Sequence, residues 1–459
     1  MFDLLVKNGK FITPTGIVHK DMAVADGKIA GFFEPKDKAG AKKIVDARNL
    51  FVLPGVVDEH THLDEPGYAD WEDFYHGSRA AAKGGVTTIL DMPLNNIPPV
   101  TSAVRLKKKA AIASGKSYVD FALWGALIRT NRDDLTDLAE AGAIAYKCFM
   151  CDAGSEYTDL NLDEIEDRLS YLKTWHGLAG FHCEDYQMLK DAEEACLKQG
   201  KTSRQDYLNV HSVESEKKAV TDIIRIVQKT GSKAHICHVS HPDVAEVIAE
   251  AKKDGISVTA ETCPQYLLLN EQDYLKRGGI FKCSPPLRSE DAREKLWQYV
   301  ADGTLDSVAS DHSPCTLERK DESGPKGAFG AWGGLSGVQT TLQGFWNLAV
   351  EEHEASPLLV AKVLAENPAK IFGLWGRKGA LLPGFDADFV LLDAGRSWEI
   401  KASQLEYLNK FSAFAGLKGK GLPVETYLRG RCIYKDGAFP EGPWGRFVPA
   451  KLSGTVEGQ

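Results

Sequence analysis

The run Phe51-Val52-Leu53-Pro54-Gly55-Val56-Val57-Asp58-Glu59-His60-Thr61-His62 decides how this chain is read. An apolar stretch stops where two histidines appear one residue apart. Side chains alternate along a strand, so residues 60 and 62 share a face. At a strand end both imidazoles point into the same small volume. His-x-His alone is a weak metal signal. Its weight comes from later strand ends, which bring Lys147, His182, His238 and Asp311 to the same level. A fold that gathers such groups at successive strand tips builds a metal centre.

Outward from that run the texture is strand–helix alternation, the signature of a parallel sheet. Eight runs read as strands: 56–60, 86–91, 119–125, 143–149, 178–182, 233–239, 256–261 and 306–311. Segment 242–253 typifies the helices between them. Val244, Val247, Ile248 and Ala251 make its apolar face, and Gly255 stops it. Eight such units predict a (β/α)8 TIM barrel, where reactive groups sit at the C-terminal strand ends. The predicted ligands occupy the ends of strands one, four, five, six and eight.

Both chain ends differ from this middle. Residues 1–53 read as short strands with hairpin turns at Asn8-Gly9 and Asp26-Gly27. Residues 376–459 repeat the texture, with an apolar strand around Phe389-Val390-Leu391-Leu392 and turns at Gly430 and Lys435-Asp436-Gly437. Neither end can bury a core alone. Together they are expected to form one small β-sandwich beside a barrel of residues 54–375. Residues 453–459 read as a loose tail.

A chain of 459 residues suits one barrel plus a smaller domain. Its 43% hydrophobic and 26% charged content is that of a globular enzyme. The net charge of −9, with no basic cluster among aromatics, argues against a nucleic-acid partner. Lys107-Lys108-Lys109 reads as a solvated helix face. The N-terminus lacks signal-peptide features and no apolar stretch reaches membrane-span length, so a cytoplasmic protein is expected. Nine cysteines, an odd and scattered set, read as reduced thiols. Cys148 and Cys151 form a C-x-x-C read as packing rather than redox chemistry.

His60, His62, His182 and His238 supply imidazole nitrogens and Asp311 a carboxylate. That set suits a borderline divalent metal: zinc foremost, with cobalt, manganese or iron as alternatives. It is too rich for one catalytic ion that keeps an open position. Two ions share it better if something bridges them. An ammonium cannot, but a lysine condensed with carbon dioxide can, because a carbamate offers two anionic oxygens. Lys147 stands between Tyr146 and Cys148 on an apolar strand, where an uncompensated ammonium is costly. An ordinary lysine reaching the barrel mouth is the plainer alternative; the histidines favour the carbamate. Asp311 is then both ligand and general base in metal-assisted hydrolysis of an amide-like bond. His235 reads as a satisfied core residue and His241 as a helix-entry residue. His312 and Glu184 read as supports for their ligand neighbours, with a purely structural role open for each.

Taken together these residues resemble the cyclic-amidase branch of the amidohydrolase superfamily over nearly the whole chain. Gly55 to His62, Tyr146-Lys147-Cys148-Phe149, His182-Cys183-Glu184, His238-Val239-Ser240 and Ser310-Asp311-His312-Ser313-Pro314 carry the likeness. The branch implies a binuclear centre, an N6-carboxylated lysine at position 147 and, by analogy, a homotetramer. Dihydroorotases of this branch carry an arginine two residues past the second histidine, where Asp64 stands. Hydantoinases carry a tyrosine five residues past the lysine, where Asp152 stands. Glu65-Pro66-Gly67, Met92-Pro93-Leu94-Asn95, Lys282-Cys283-Ser284-Pro285-Pro286 and Ala331-Trp332-Gly333-Gly334 are most similar to the allantoinase family. That resemblance implies opening of the hydantoin ring of allantoin to allantoate in purine breakdown, with a broader hydantoinase or dihydropyrimidinase as the alternative. It implies ring contacts from the Ser284 backbone and polar contacts from Asn95 and Asp64. For Asn95 a simple turn role stays open. Asp64, and Gln265 where a histidine is usual, depart from the family pattern.

Overall fold

All eight runs form strands in a computed structural model that describes residues 1–35, 39–154 and 156–450. The strands are Val56–Thr61, Val86–Asp91, Asp120–Leu123, Tyr146–Phe149, Ala179–His182, Ala234–Ile236, Val258–Thr262 and Ser307–Val308. The third resumes past Trp124 as Gly125–Ala126, and that piece pairs with the fourth. Each strand lies parallel to the next. The ring closes where Thr61 bridges His312 and the His62 amide donates to the His312 carbonyl at 2.8 Å. Val86–Asp91 is buried at every position. Burial on both faces is why these strands read as unbroken apolar runs.

The sixth and eighth strands end earlier than their apolar runs. His238 and Asp311, beyond the last paired residues, have φ of 42° and 43°. A left-handed residue ends a ladder and turns its side chain out of the alternating pattern. The helices follow their signals. Pro242–Lys253 buries Val244, Ala245, Ile248 and Ala251, and His241 Nδ1 caps it by accepting from the Asp243 amide at 3.1 Å. Val213–Thr230 starts at Ser212, whose side chain accepts from Ser215, and ends on left-handed Gly231. Among the described residues no helix is long and apolar enough to cross a membrane.

The chain ends build two further sheets. One orders Lys28–Phe33, Asp21–Ala25, Phe2–Lys7 and Ala41–Asp46; the other orders Arg431–Lys435, Lys418–Leu428, Phe389–Glu399, Phe51–Pro54, Lys10–Thr13 and Gly16–Val18. Their shared core mixes Leu4, Val6, Met22 and Val52 with Phe389, Leu391 and Tyr427. The turns at Asp26-Gly27 and Arg429-Gly430 join paired strands, whereas Asp436-Gly437 closes on a single bridge between Lys435 and Ala438. Asn8-Gly9 does not. Phe2–Lys7 and Lys10–Thr13 lie in different sheets, and left-handed Asn8 (φ 63°) swings the chain between them.

Two further features depart from the sequence reading. Lys107 and Lys108 face solvent, but Lys109 is buried and pairs with Asp91, with Met92 O at 2.7 Å and Asn96 Oδ1 at 2.5 Å. Successive residues of a helix turn by about 100°, so a run of three cannot share one face. Residues 445–450 leave the sandwich and run along the third barrel strand. The Val448 amide donates to Phe121 O at 2.7 Å and the Ala450 amide to Gly142 O at 3.1 Å. The tail of residues 453–459 lies outside the described residues.

Candidate metal centre

The barrel mouth opens into a cavity of about 610 Å³. His60, His62, Lys147, His182, His238 and Asp311 all line it. His60 Nε2 lies 3.3 Å and His62 Nε2 3.6 Å from Asp311 Oδ1. His182 Nδ1 faces His238 Nε2 at 3.0 Å. The His60 and His238 rings lie 5.5 Å apart, which joins the two groups into one cluster. All six side chains are buried.

Two of the four imidazoles are held from behind by carboxylates. His60 Nδ1 hydrogen-bonds Glu261 Oε1, which leaves Nε2 for the centre. Glu261 Oε2 also holds His235 Nε2 at 3.1 Å, while His235 Nδ1 meets Thr259 Oγ1 at 2.8 Å; His235 is a satisfied core residue. Glu184 Oε2 holds His182 Nε2 at 2.7 Å and Oε1 holds His211 Nδ1 at 2.6 Å. Carboxylates behind imidazoles fix tautomer and ring orientation, as in metal sites generally. Sequence reasoning singled out Glu184 but missed Glu261 and His211. The one signal for Glu261 was an acid at the end of an apolar strand.

The local electrostatics follow from burial and these pairs. Burial opposes charge on His60 most strongly, but the Glu261 and Asp311 carboxylates together with a hydrogen bond to Cys237 outweigh it and push its pKa up to about 10. Burial brings His62 down to about 4 and holds His238 well below its ordinary value, with His182 adding to the effect. Burial would raise Asp311, yet His60 and His62 hold its carboxyl below the usual range. Lys147 Nζ has no such support. Among the described residues it has no hydrogen-bond partner, and it sits 5.2 Å from the centre of the Phe149 ring. Converging imidazole nitrogens, one carboxylate and an unpartnered buried amine fit a site for borderline divalent cations.

The polar contacts expected for a substrate divide. Asn95 and Ser284 line the cavity, and Asn95 Nδ2 has no partner among the described residues. Asn95 has φ 59°, so the turn geometry that was the alternative for it is also present. Asp64 does not line the cavity. It is fully buried, and burial with the neighbouring Asp91 and Glu72 carboxylates pushes its pKa well up. Its direct contact with substrate is therefore replaced by a place behind the wall, beside Asn95. Gln265 is also fully buried and lines no part of the cavity. Cys151, read as packing, does line it, as does Asp152.

Comparison with known proteins agrees with this geometry. Residues 51–433 match the Amidohydrolase family. An allantoinase of Escherichia coli O1:K1 / APEC is 36% identical over 97% of this chain and 98% of its own length. An allantoinase of E. coli strain K12 / DH10B is 35% identical over the same shares. An L-hydantoinase (dihydropyrimidinase) from Arthrobacter aurescens superposes with a TM-score of 0.95 at 31% identity, over 98% of this chain and all of the other. A dihydropyrimidinase from Brevibacillus agri NCHU1002 follows at 0.91 and 25%, over 98% and 99% of the two chains. The chain belongs to the amidohydrolase family.

Proposed function

We propose that this hydrolase opens the hydantoin ring of allantoin at an amide C–N bond, yielding allantoate in purine breakdown. The observation that carries the reading is the meeting of four imidazoles, Lys147 and Asp311 at one barrel mouth, in a chain similar to allantoinases over nearly its whole length. His60 and His62 would hold one divalent cation, with Asp311, and His182 and His238 a second. Lys147, carboxylated on Nζ, would join them; its unpartnered burial supports this, since a carbamate between cations removes an otherwise uncompensated ammonium. Bound cations of this kind polarise a carbonyl and make water nucleophilic at neutral pH. Zinc suits the donor set best.

The chain's own groups handle substrate and proton. The Asp311 carboxylate accepts a proton as water adds to the scissile carbonyl carbon. It returns that proton to the ring nitrogen as the C–N bond breaks. Its carboxylate oxygen lies within 3.6 Å of both His60 and His62, so the proton acceptor sits inside the same cluster. The Ser284 backbone would orient the ring and Asn95 Nδ2 would donate to a substrate carbonyl. Glu261 and Glu184 hold the imidazoles in place while this happens. A cytoplasmic location and, by family analogy, a homotetramer complete the reading.

The hydantoinase likeness in structure supports a second reading, a cyclic amidase of broader specificity. A panel of allantoin, dihydroorotate, dihydrouracil and unsubstituted hydantoin, assayed for ring opening with several divalent metals, separates them. Allantoin should give the highest kcat/KM. Preference for dihydrouracil or hydantoin would replace the allantoinase reading.

A further inference from the structure

Two buried lysines near the cavity have no carboxylate partner. Lys282 is 4% and Lys320 6% exposed, and among the described residues neither makes an ion pair. Both spend their donors on the backbone of one loop. Lys282 Nζ donates to Ala331 O at 2.6 Å and to Phe329 O at 3.5 Å. Lys320 Nζ donates to Gly334 O at 2.5 Å and to Trp332 O at 3.0 Å, and reaches Lys282 O at 3.4 Å. Burying an ammonium without a counter-ion is costly, so bonds to neutral carbonyls alone need a reason. Burial lowers the two pKa values to about 7 and about 8.

The loop explains the arrangement. Trp332 and Gly333 form part of the cavity wall, beside Ser284. A Cβ on Gly333 would lie 3.0 Å from Ser284 Oγ, and one on Gly334 would lie 2.5 Å from Ser313 Oγ. The glycines let the backbone lie flat against both serines, but positions 333 and 334 themselves offer no side chain to anchor it. The two lysine Nζ atoms grip it through its carbonyls instead. On the outer side Trp332 packs against Trp71 with ring centres 4.8 Å apart, and Trp71 stacks on Tyr68 at 4.4 Å. On the Lys282 side, Tyr207 OH bonds Ser284 Oγ and donates to Cys283 O at 3.0 Å, while Lys282 Nζ sits 4.3 Å over the Tyr207 ring.

We propose that Lys282 and Lys320 form a two-lysine clamp that holds the Trp332–Gly333 wall in register against Ser284, and so decides which ring substituent the cavity accepts. They are positioning residues, acting through the loop backbone. The proposal rests on the reading of this cavity as the cyclic-amide site. The test compares kcat/KM for allantoin and for unsubstituted hydantoin in the metal-loaded wild type, Lys282→Met, Lys282→Arg and Lys320→Met. Methionine keeps length and removes the donors. The Met variants should keep their metal content yet lose about tenfold in the allantoin-to-hydantoin ratio, chiefly through KM, because a displaced wall costs orientation. Lys282→Arg, which keeps charge and donors, should recover part of the ratio. An unchanged ratio in folded, metal-loaded Met variants overturns the clamp. If a Met variant does not fold, Gly333→Ala carries the same expectation, since it moves the wall away from Ser284 with both lysines intact. Should the wild type leave allantoin untouched, the function reading fails. The clamp is then judged by the ratio for a 5-substituted hydantoin over hydantoin.

Discussion

Asp311 is the residue on which the proposed chemistry turns, and its backbone shows how it is delivered. Its φ of 43° lies in a region that non-glycine residues rarely adopt, as does the 42° of His238. Both come at the point where a strand stops pairing, and both carry a side chain into the cluster. Strain of this kind persists only where the surroundings over-determine it. Asp311→Asn keeps size and hydrogen-bonding shape but cannot take a proton. It should keep the fold and much of the metal while kcat falls about 10³-fold, read by steady-state assay beside metal analysis. Survival of wild-type turnover would remove Asp311 from its role. Lys147→Ala should lose metal and activity together, and short carboxylic acids should restore part of both by standing in for the carbamate. Full metal content without them would rule the bridge out. His60, His62, His182, His238 and Asp311 were legible because strand ends advertise their side chains. Glu261 was not, because its partner His60 lies 201 residues away.

At the scale of elements, burial separates what could be read from what could not. The eight barrel strands announced themselves, since strands covered on both faces must be apolar throughout. Pairing between remote segments left no such mark. Residues 445–450 pass so close to the third barrel strand that a Cβ on Gly445 would lie 1.9 Å from Val119 O and 2.8 Å from Ser117 O. The contact is with backbone, which cannot swing aside. Gly445→Ala should therefore destabilise the protein by about 2–4 kcal/mol, measured by urea unfolding. A change below about 0.5 kcal/mol, the size of an ordinary surface substitution, would mean that this segment does not brace the barrel. Asn8-Gly9 makes the complementary point. Its residues promise a left-handed turn, and Asn8 delivers one, but a turn does not say which sheet the next strand joins.

Across the whole molecule, barrel and sandwich are joined by a buried ionic knot. Lys378 Nζ lies 2.6 Å from Asp120, 2.6 Å from Asp388 and 3.0 Å from Asp386, and Arg429 also binds Asp120. Asp120 belongs to the third barrel strand, whereas Arg429 sits in the turn between Lys418–Leu428 and Arg431–Lys435. Lys378→Met strands three carboxylates together out of water and should cost about 3–5 kcal/mol, read as a lowered urea midpoint. Loss of less than about 1 kcal/mol, the value of an exposed pair, would show the knot to be incidental. Burial opposes charge on Asp120 and Asp386, but the cations win and hold both below the ordinary value of 3.8. Their stabilisation is therefore complete above about pH 4 and lost as pH falls through their folded values. Asp388, pushed up by burial, works in the opposite sense. Stability should fall steeply below about pH 4 in the wild type and less steeply in Lys378→Met. By itself the amino-acid order determined the alternation of strand and helix and the level at which each candidate ligand sits, because local periodicity and strand ends are properties of neighbouring residues. Only tertiary structure decided that Glu261 would stand behind His60, that Asp64 would be walled off from the cavity, and that Lys282 and Lys320 would grip a loop of glycines. Those outcomes depend on distances between segments far apart in the chain, which no local pattern encodes.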